Sequence, residues 1–293
     1  MTPRVATASA RAAWGTDPDE PLLLDALTRS GLAATPVAWD DPGVDWASFD
    51  LVVLRSTWDY AERREEFLAW LDAAATRTRV ENPPAVVRVN TDKRYLTDLS
   101  AAGVAVVPTS FVGPAEAVDL PAAEPFVVKP AVSAGSRDTL RCAAGERERP
   151  AALARRLHAE GRTVMIQPYV TSVDDRGETA MCYLGGAFTH AIAKGPILAP
   201  GSDVIDGLYA PEDLAPRRPS PEEHEVAEAA LTALGAHGLL YARVDLVADD
   251  DGAPMVLEVE LTEPSLFLRE VPGAAARFAS AIADRLARAR ATG

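Results

Sequence analysis

Lysine is nearly absent from this chain: of its 29 basic residues only Lys93, Lys129 and Lys194 are lysines, and the other 26 are arginines. Surface charge is therefore supplied by guanidinium, and each lysine, a compact point charge on a flexible stem, needs a separate explanation. Cysteine is as scarce. Cys142 and Cys182 are too few for a disulfide framework, and neither stands in a CxxC or histidine-rich setting, so a disulfide scaffold and a cysteine metal centre are excluded. No apolar run reaches transmembrane length, and Met1–Val5 does not open a charged, then apolar, leader, so a cytoplasmic protein is expected. The chain has no GKS or GKT, no GxGxxG and no GxSxG, which sets aside the Walker A loop, the dinucleotide fingerprint and the nucleophile elbow of a Ser-His-Asp hydrolase. Basic residues are outnumbered by 43 acidic ones, and the net charge of -14 opposes a polyanion. Neither nucleic acid nor an anionic membrane surface is an expected partner.

What is present is a globular α/β pattern of 293 residues with 48% hydrophobic content. Short apolar runs and amphipathic stretches alternate through Val5–Ala8, Pro21–Ser30, Thr35–Trp39, Leu51–Leu54 and Glu62–Ala74, a βαβ rhythm that implies a parallel sheet. Asn82-Pro83-Pro84 punctuates the chain, and Asn90 or Thr91 is placed to cap a helix running through Leu99. Strands are expected at Val104–Thr109, Pro125–Lys129 and Thr163–Gln167, with a helix over Pro150–Glu160 before the last. A hairpin over Thr179–Leu184 and Ala187–Lys194 turns at Gly185-Gly186. The Pro-, Gly- and Asp-rich stretch Gly195–Ser220 reads as a lid or a disordered insert. A helix over Pro221–His237, strands at Leu240–Val247 and Met255–Leu261, and a helix over Gly273–Arg290 close the chain. These divide it into lobes at 1–90, 91–170 and 171–293.

The C-terminal strands carry the clearest chemistry. In Leu257-Glu258-Val259-Glu260-Leu261 a period of two puts both carboxylates on one face. The same rule aligns Arg243 with Asp245, and the turn Asp249-Asp250-Asp251-Gly252 can fold the two strands together. Asp245, Glu258 and Glu260 are thus candidate ligands for hard Mg²⁺; the alternative is a solvated acidic face, against which Arg243 in their midst speaks. Lys129 ends an apolar strand and is followed by Ser133-Ala134-Gly135-Ser136, a small-residue loop whose N–H groups can approach phosphate oxygens. Lys93 falls in the first turn of its helix, where a cation opposes the helix dipole unless an anion is near. Arg55-Ser56-Thr57-Trp58-Asp59-Tyr60 leaves the carboxyl end of Leu51–Leu54, where α/β sheets collect ligands. Arg55, Ser56, Thr57 and Asp59 are candidate substrate contacts, the alternative being a capping turn in which Trp58 packs. His190 on the hairpin either faces a cleft or packs.

With Met165-Ile166-Gln167-Pro168-Tyr169-Val170 leading to Asp174 and Glu178, the succession resembles the ATP-grasp superfamily, in the branch holding D-alanine-D-alanine ligase and the ribosomal-protein glutamate ligases. It spans roughly residues 90 to 262, and the first βαβ unit is similar to the lobe that precedes the grasp fold. The resemblance implies an ADP-forming carboxylate ligase in which two α+β lobes enclose ATP with Mg²⁺. By that resemblance Lys93 and Lys129 hold phosphates, Ser133 to Ser136 (with Gly135) close over them, and Gln167, Pro168, Tyr169 and Val170 form the hinge that reads adenine. Asp174 or Glu178 meets the ribose, Lys194 lies near adenine and the transferred phosphate, and Arg243 steadies the tetrahedral intermediate. Asp245, Glu258 and Glu260 match metal ligands, although the family commonly has Asn where Glu260 stands and often Glu where Gln167 stands. Length, the Arg55 to Tyr60 loop and the Glu258-Val259-Glu260 variant most resemble the D-cycloserine-forming cyclo-ligases of antibiotic biosynthesis. These act on O-ureido-D-serine, an amino-acid-like small molecule, and Ser265 is a further candidate contact for it. Homo-oligomerisation is left open. An intermolecular amino-acid or dipeptide ligase, a phosphotransferase to an alcohol and a non-catalytic nucleotide-binding regulator are the alternatives; the retained lysines and carboxylates weigh against the last.

Overall fold

The computed structural model describes residues 2–198, 201 and 213–292. The chain opens with strand β1 (Arg4–Ser9), helix α1 (Glu20–Arg29), β2 (Ala33–Ala38), β3 (Leu51–Leu54), α2 (Arg64–Ala75) and β4 (Val80–Glu81), and the four strands form a parallel sheet in the order β2-β1-β3-β4. All four residues of β3 are buried, as expected of a parallel strand covered on both faces. The alternation of side chains sorts the sheet into two cores. Val5, Leu51 and Val53 pack with Leu23 and Leu27 of α1, while Ala6, Ala8, Val52 and Leu54 pack with Trp39 and with Phe67 and Leu71 of α2.

Two short helices follow, α3 (Pro84–Asn90) and α4 (Tyr95–Ala101), with Lys93 in the turn between them. This corrects the single helix expected from Asn90 or Thr91. The Asn90 amide is spent elsewhere, donating to the Val259 carbonyl at 2.7 Å and accepting from Leu261 N–H at 2.7 Å. The second sheet is antiparallel, ordered β5-β8-β6-β7 from β5 (Ser110–Val112), β6 (Phe126–Pro130), β7 (Leu140–Cys142) and β8 (Val164–Pro168), with helix α5 (Glu148–Ala159) packed on it. The strand expected over Val104–Thr109 is absent; Val106 makes a single bridge to Val256, and Pro108, which has no N–H to donate, separates it from β5.

After the one-turn helix α6 (Val173–Arg176) comes the hairpin of β9 (Glu178–Leu184) and β10 (Ala187–Lys194), then β11 (Leu214–Arg217), α7 (Pro221–Ala233), β12 (Tyr241–Ala248), β13 (Pro254–Glu260) and α8 (Ala274–Thr292). The third sheet is antiparallel in the order β11-β10-β9-β12-β13. Of the lid expected over 195–220, residues 199–200 and 202–212 fall outside the described residues, and 214–217 is a strand paired with β10. Among the described residues no helix is long and apolar enough to cross a membrane.

Two features tie the lobes together. Asn82, fully buried, donates to the carbonyls of Tyr241 (2.8 Å) and Leu261 (2.7 Å) and accepts from Leu240 N–H (3.1 Å), joining the edge of the first sheet to the third. Val132 and Ala134, in the loop after β6, pack against the Trp39–Phe67 core, and Arg137 of that loop pairs with Glu62. Phe278 and Ile282 of α8 also reach the α1 face of the first sheet.

Candidate active site

A cleft runs between the second and third sheets and against the first lobe, with a cavity of about 370 Å³. All three lysines line it. Lys93 donates to the Ser133 carbonyl (2.9 Å) and hydroxyl (3.1 Å) and pairs with Glu258 at 3.0 Å. Lys194, at the end of β10, pairs with Glu178 (3.0 Å) and Asp245 (3.1 Å). Lys129 is different: it has no ion pair among the described residues, and burial, reinforced by Lys93 and Lys194 against Glu258 and Glu178, lowers its pKa.

Ser133, Gly135 and Ser136 also stand on the wall, and Gly135 (φ 62°) and Ser136 (φ 61°) both adopt the left-handed conformation. Successive residues in such conformations turn backbone N–H groups toward one concave side. Glycine does this freely at Gly135, whereas Ser136 is held against its preference. Opposite them lie Gln167, Pro168, Tyr169 and Val170 at the end of β8. Gln167 Nε2 donates to the Thr109 hydroxyl at 2.9 Å, which fixes the strand end.

Of the two ribose candidates, only Glu178 reaches the cleft. Asp174 is turned away, held by both terminal nitrogens of Arg141 at 2.8 Å and by the Tyr169 hydroxyl at 2.6 Å. Asp174→Ala is therefore expected to leave nucleotide affinity within about threefold, while Glu178→Ala weakens it about tenfold, a loss of roughly 1.4 kcal/mol that titration calorimetry resolves.

The acidic strands converge on the same wall, but not as a ready-made metal cluster. Among the described residues no group of three or more His, Cys, Asp or Glu is placed to hold a metal ion. The reason is internal pairing. Arg243 grips Asp245 through Nε (2.7 Å) and Nη2 (2.9 Å), bonds Glu260, and donates from Nη1 to the Ser265 carbonyl at 3.0 Å. Burial pushes Asp245 up, yet Arg243 and Lys194 outweigh it and hold its carboxyl at about 2. Burial likewise raises Glu258, and Lys93 and Lys129 bring it below the usual range. Glu260 is left at about 7, because burial and the charges of Glu258 and Asp245 exceed the help from Arg243. The carboxylates of this wall, Glu178, Asp245, Glu258 and Glu260, are matched by Lys93, Lys129, Lys194 and Arg243, and its donors are hard oxygens. In donor type it fits Mg²⁺, once the resident cations exchange partners.

The substrate loop needs a correction. Arg55, Ser56, Thr57 and Asp59 do not line the cleft; Trp58 and Tyr60 of that loop do. Arg55 is buried and donates to the Pro264 carbonyl at 3.2 Å, Ser56 bonds Asp17, Thr57 is buried, and Asp59 accepts from Trp39 Nε1 at 2.8 Å. These are the roles of a turn that supports its neighbours, and only its aromatic members face the ligand side. Arg55→Met is accordingly expected to lower stability by about 1–3 kcal/mol, since it strands a buried carbonyl, and thermal unfolding measures it. Ser265 does lie on the wall. His190 packs, its Nε2 against the Leu266 carbonyl at 2.8 Å. Residues that sequence reasoning missed also line the cleft: Asp17, Asp19, Arg269 and Glu270, together with Glu263 of the Glu263-Pro264-Ser265 segment. The position of Asp17 just beyond the carboxyl end of β1 was the available signal.

This arrangement has known counterparts. Residues 5–82 match the family model described as the N-terminal domain of D-cycloserine synthetase DcsG. The cycloserine biosynthesis protein DcsG of Streptomyces lavendulae is 43% identical over 286 residues, which cover 92% of this chain and 94% of that protein. The chain belongs to the DcsG family. A crystal structure of D-cycloserine synthetase DcsG superposes with a TM-score of 0.89 at 40% identity, covering 97% of this chain and 99% of that one. More distantly, the ATP-grasp ligase PsnB complexed with minimal precursor, Mg and ADP matches with a TM-score of 0.60 at 20% identity, over 97% of each chain, a likeness of fold. As a DcsG-family member the chain is an ATP-grasp ligase, and the three lysines, Gln167–Val170 and the acidic strands of the cleft stand within that fold.

Proposed function

We propose that the chain uses ATP to phosphorylate a substrate carboxylate and then closes the acylphosphate on a nitrogen of the same molecule, converting O-ureido-D-serine into D-cycloserine. The nitrogen bonded to oxygen attacks the acyl carbon, phosphate leaves, and the carbamoyl group departs by hydrolysis as carbamic acid, the sum of carbon dioxide and ammonia. The observation that carries this reading is the meeting of all three lysines with Arg243 on one wall. In a chain that otherwise uses arginine, these are the point charges suited to following phosphate oxygens.

Lys93 and Lys129 would hold the phosphates, with the backbone of Ser133 to Ser136 closing over them and Gln167 to Val170 against the base. Glu178 takes the ribose, and Lys194 stands beside the transferred phosphate. Glu258 and Glu260, with Asp245 behind them, would hold Mg²⁺, which when bound supplies charge neutralisation along the phosphates. Arg243, fixed by Asp245, presents its guanidinium to the oxyanion that develops at the acyl carbon. The protein contributes position and fixed charge. The reading treats 1–90 as a lobe preceding the grasp fold, and 91–170 and 171–293 as the two lobes that enclose the nucleotide.

The test is the mass of what forms when the full chain is incubated with ATP, Mg²⁺ and O-ureido-D-serine. D-cycloserine with stoichiometric ADP is the expected outcome. A condensation product that appears only after adding a second amino acid would replace the intramolecular step with an intermolecular ligation.

A further inference from the structure

The mechanism above leaves two polar side chains at the far end of the cleft unused. Glu263 is 7% exposed and Tyr60 4%; both line the cavity, and among the described residues neither the carboxylate nor the phenol is bonded to another group, their oxygens being reached from the cleft rather than sealed in the interior. A buried polar group normally finds a partner, and a buried carboxylate a cation. Two such groups left open toward one cavity point to a ligand that completes them.

The chemistry of that ligand follows from the surroundings. Glu263 lines the cavity with Asp17, Asp19 and Glu270, and with Arg269. Burial and then the nearby Glu260 hold its carboxyl at about 8, with Lys93 and Arg243 too weak to offset them. An anionic ligand group is disfavoured at this end, and a cation is wanted. A primary ammonium needs only two or three acceptors and matches a carboxylate beside a phenol oxygen. The Trp58 ring, whose Nε1 donates to the Glu263 carbonyl at 3.4 Å, closes the site beside them.

We infer that Glu263 and Tyr60 seat the ammonium group of an amino-acid substrate and so fix which end of the molecule is left toward Lys93 and Arg243. This rests on the ligase reading above and names the residues that select its acceptor. With the ammonium held at Glu263, the carboxylate is delivered to the phosphorylating end of the cleft, and an acceptor without an ammonium loses that orientation.

The test is titration calorimetry on the full chain in the presence of a non-hydrolysable ATP analogue and Mg²⁺, using O-ureido-D-serine, D-serine and D-alanine, each with its N-acetyl derivative. The wild type is expected to prefer the free amine by about 10–100-fold, the value of one charged hydrogen bond. Glu263→Gln should remove most of that preference by weakening the amine alone. Tyr60→Phe, which keeps the ring against Phe67, should remove a smaller part of it. Affinity for the ATP analogue should be unchanged in both, which separates a local loss from a damaged fold. Retention of the full preference in Glu263→Gln overturns the assignment. If D-serine or D-alanine binds in place of O-ureido-D-serine and Glu263→Gln still abolishes the preference, the ammonium seat stands and the cycloserine substrate falls. If no free amine binds the wild type better than its N-acetyl form, the seat is wrong.

Discussion

Replacing Lys129 with methionine is expected to cut ADP release about 10²–10³-fold while leaving the free protein as stable as before or more so. The two effects have one origin. The Lys129 side chain is half-buried without an ion pair among the described residues and lies near Lys93 and Lys194, so desolvation and like charge both depress its pKa. Such a group opposes folding, and methionine of similar length relieves that penalty while filling the same space. A cation kept at a loss to stability is explained by a charged ligand that arrives later, here the phosphates of ATP. Arginine should not rescue activity, because its planar fork does not fit a site shaped for a point charge. Steady-state ADP release together with thermal unfolding of the unliganded protein decides the matter. An active Lys129→Met, or an inactive one that has simply lost stability, would move the phosphate site away from β6.

The second large effect concerns folding. Asn82→Ala is expected to remove about 3–9 kcal/mol, because it strands the carbonyls of Tyr241 and Leu261 and the N–H of Leu240 in a dry interior at about 1–3 kcal/mol each. That is a large part of the ~5–15 kcal/mol available to a typical protein. The loss should appear as a lower urea midpoint; an unchanged slope places the damage in the native contacts, whereas a shallower slope or a second transition would show the first lobe parting from the rest. A midpoint shift worth under about 1 kcal/mol would mean that water or rearranged side chains replace the amide.

Much of the fold could be read from periodicity, because the physics is local there. Leu51–Leu54 as a buried strand, the Gly185-Gly186 hairpin and the alternating acidic strand β13 all follow from neighbouring residues alone. The cleft lysines were legible for a compositional reason, since scarcity made each one conspicuous. What escaped depends on contacts distant in sequence. Asn90 was read as a helix cap, whereas its amide serves strand β13, some 170 residues on. Arg55 was read as a substrate contact, but it is claimed by the Pro264 carbonyl. Asp174 and Glu178 were equivalent on paper, and only the position of Arg141 divides them. Local patterns place a polar residue near a cleft, while the partner that captures it comes from elsewhere in the chain.

The contact between Arg137 and Glu62 has a thermodynamic consequence. The loop after β6, whose Ser133, Gly135 and Ser136 line the cleft, is fastened at Arg137 to the lobe that supplies Trp58 and Tyr60, and Val132 and Ala134 rest on that lobe's aromatic core. Ordering the loop around phosphate therefore also orders the wall that meets the acceptor. By linkage, whatever factor nucleotide adds to acceptor affinity, the acceptor must return to nucleotide, and Glu62→Ala should shrink both factors together.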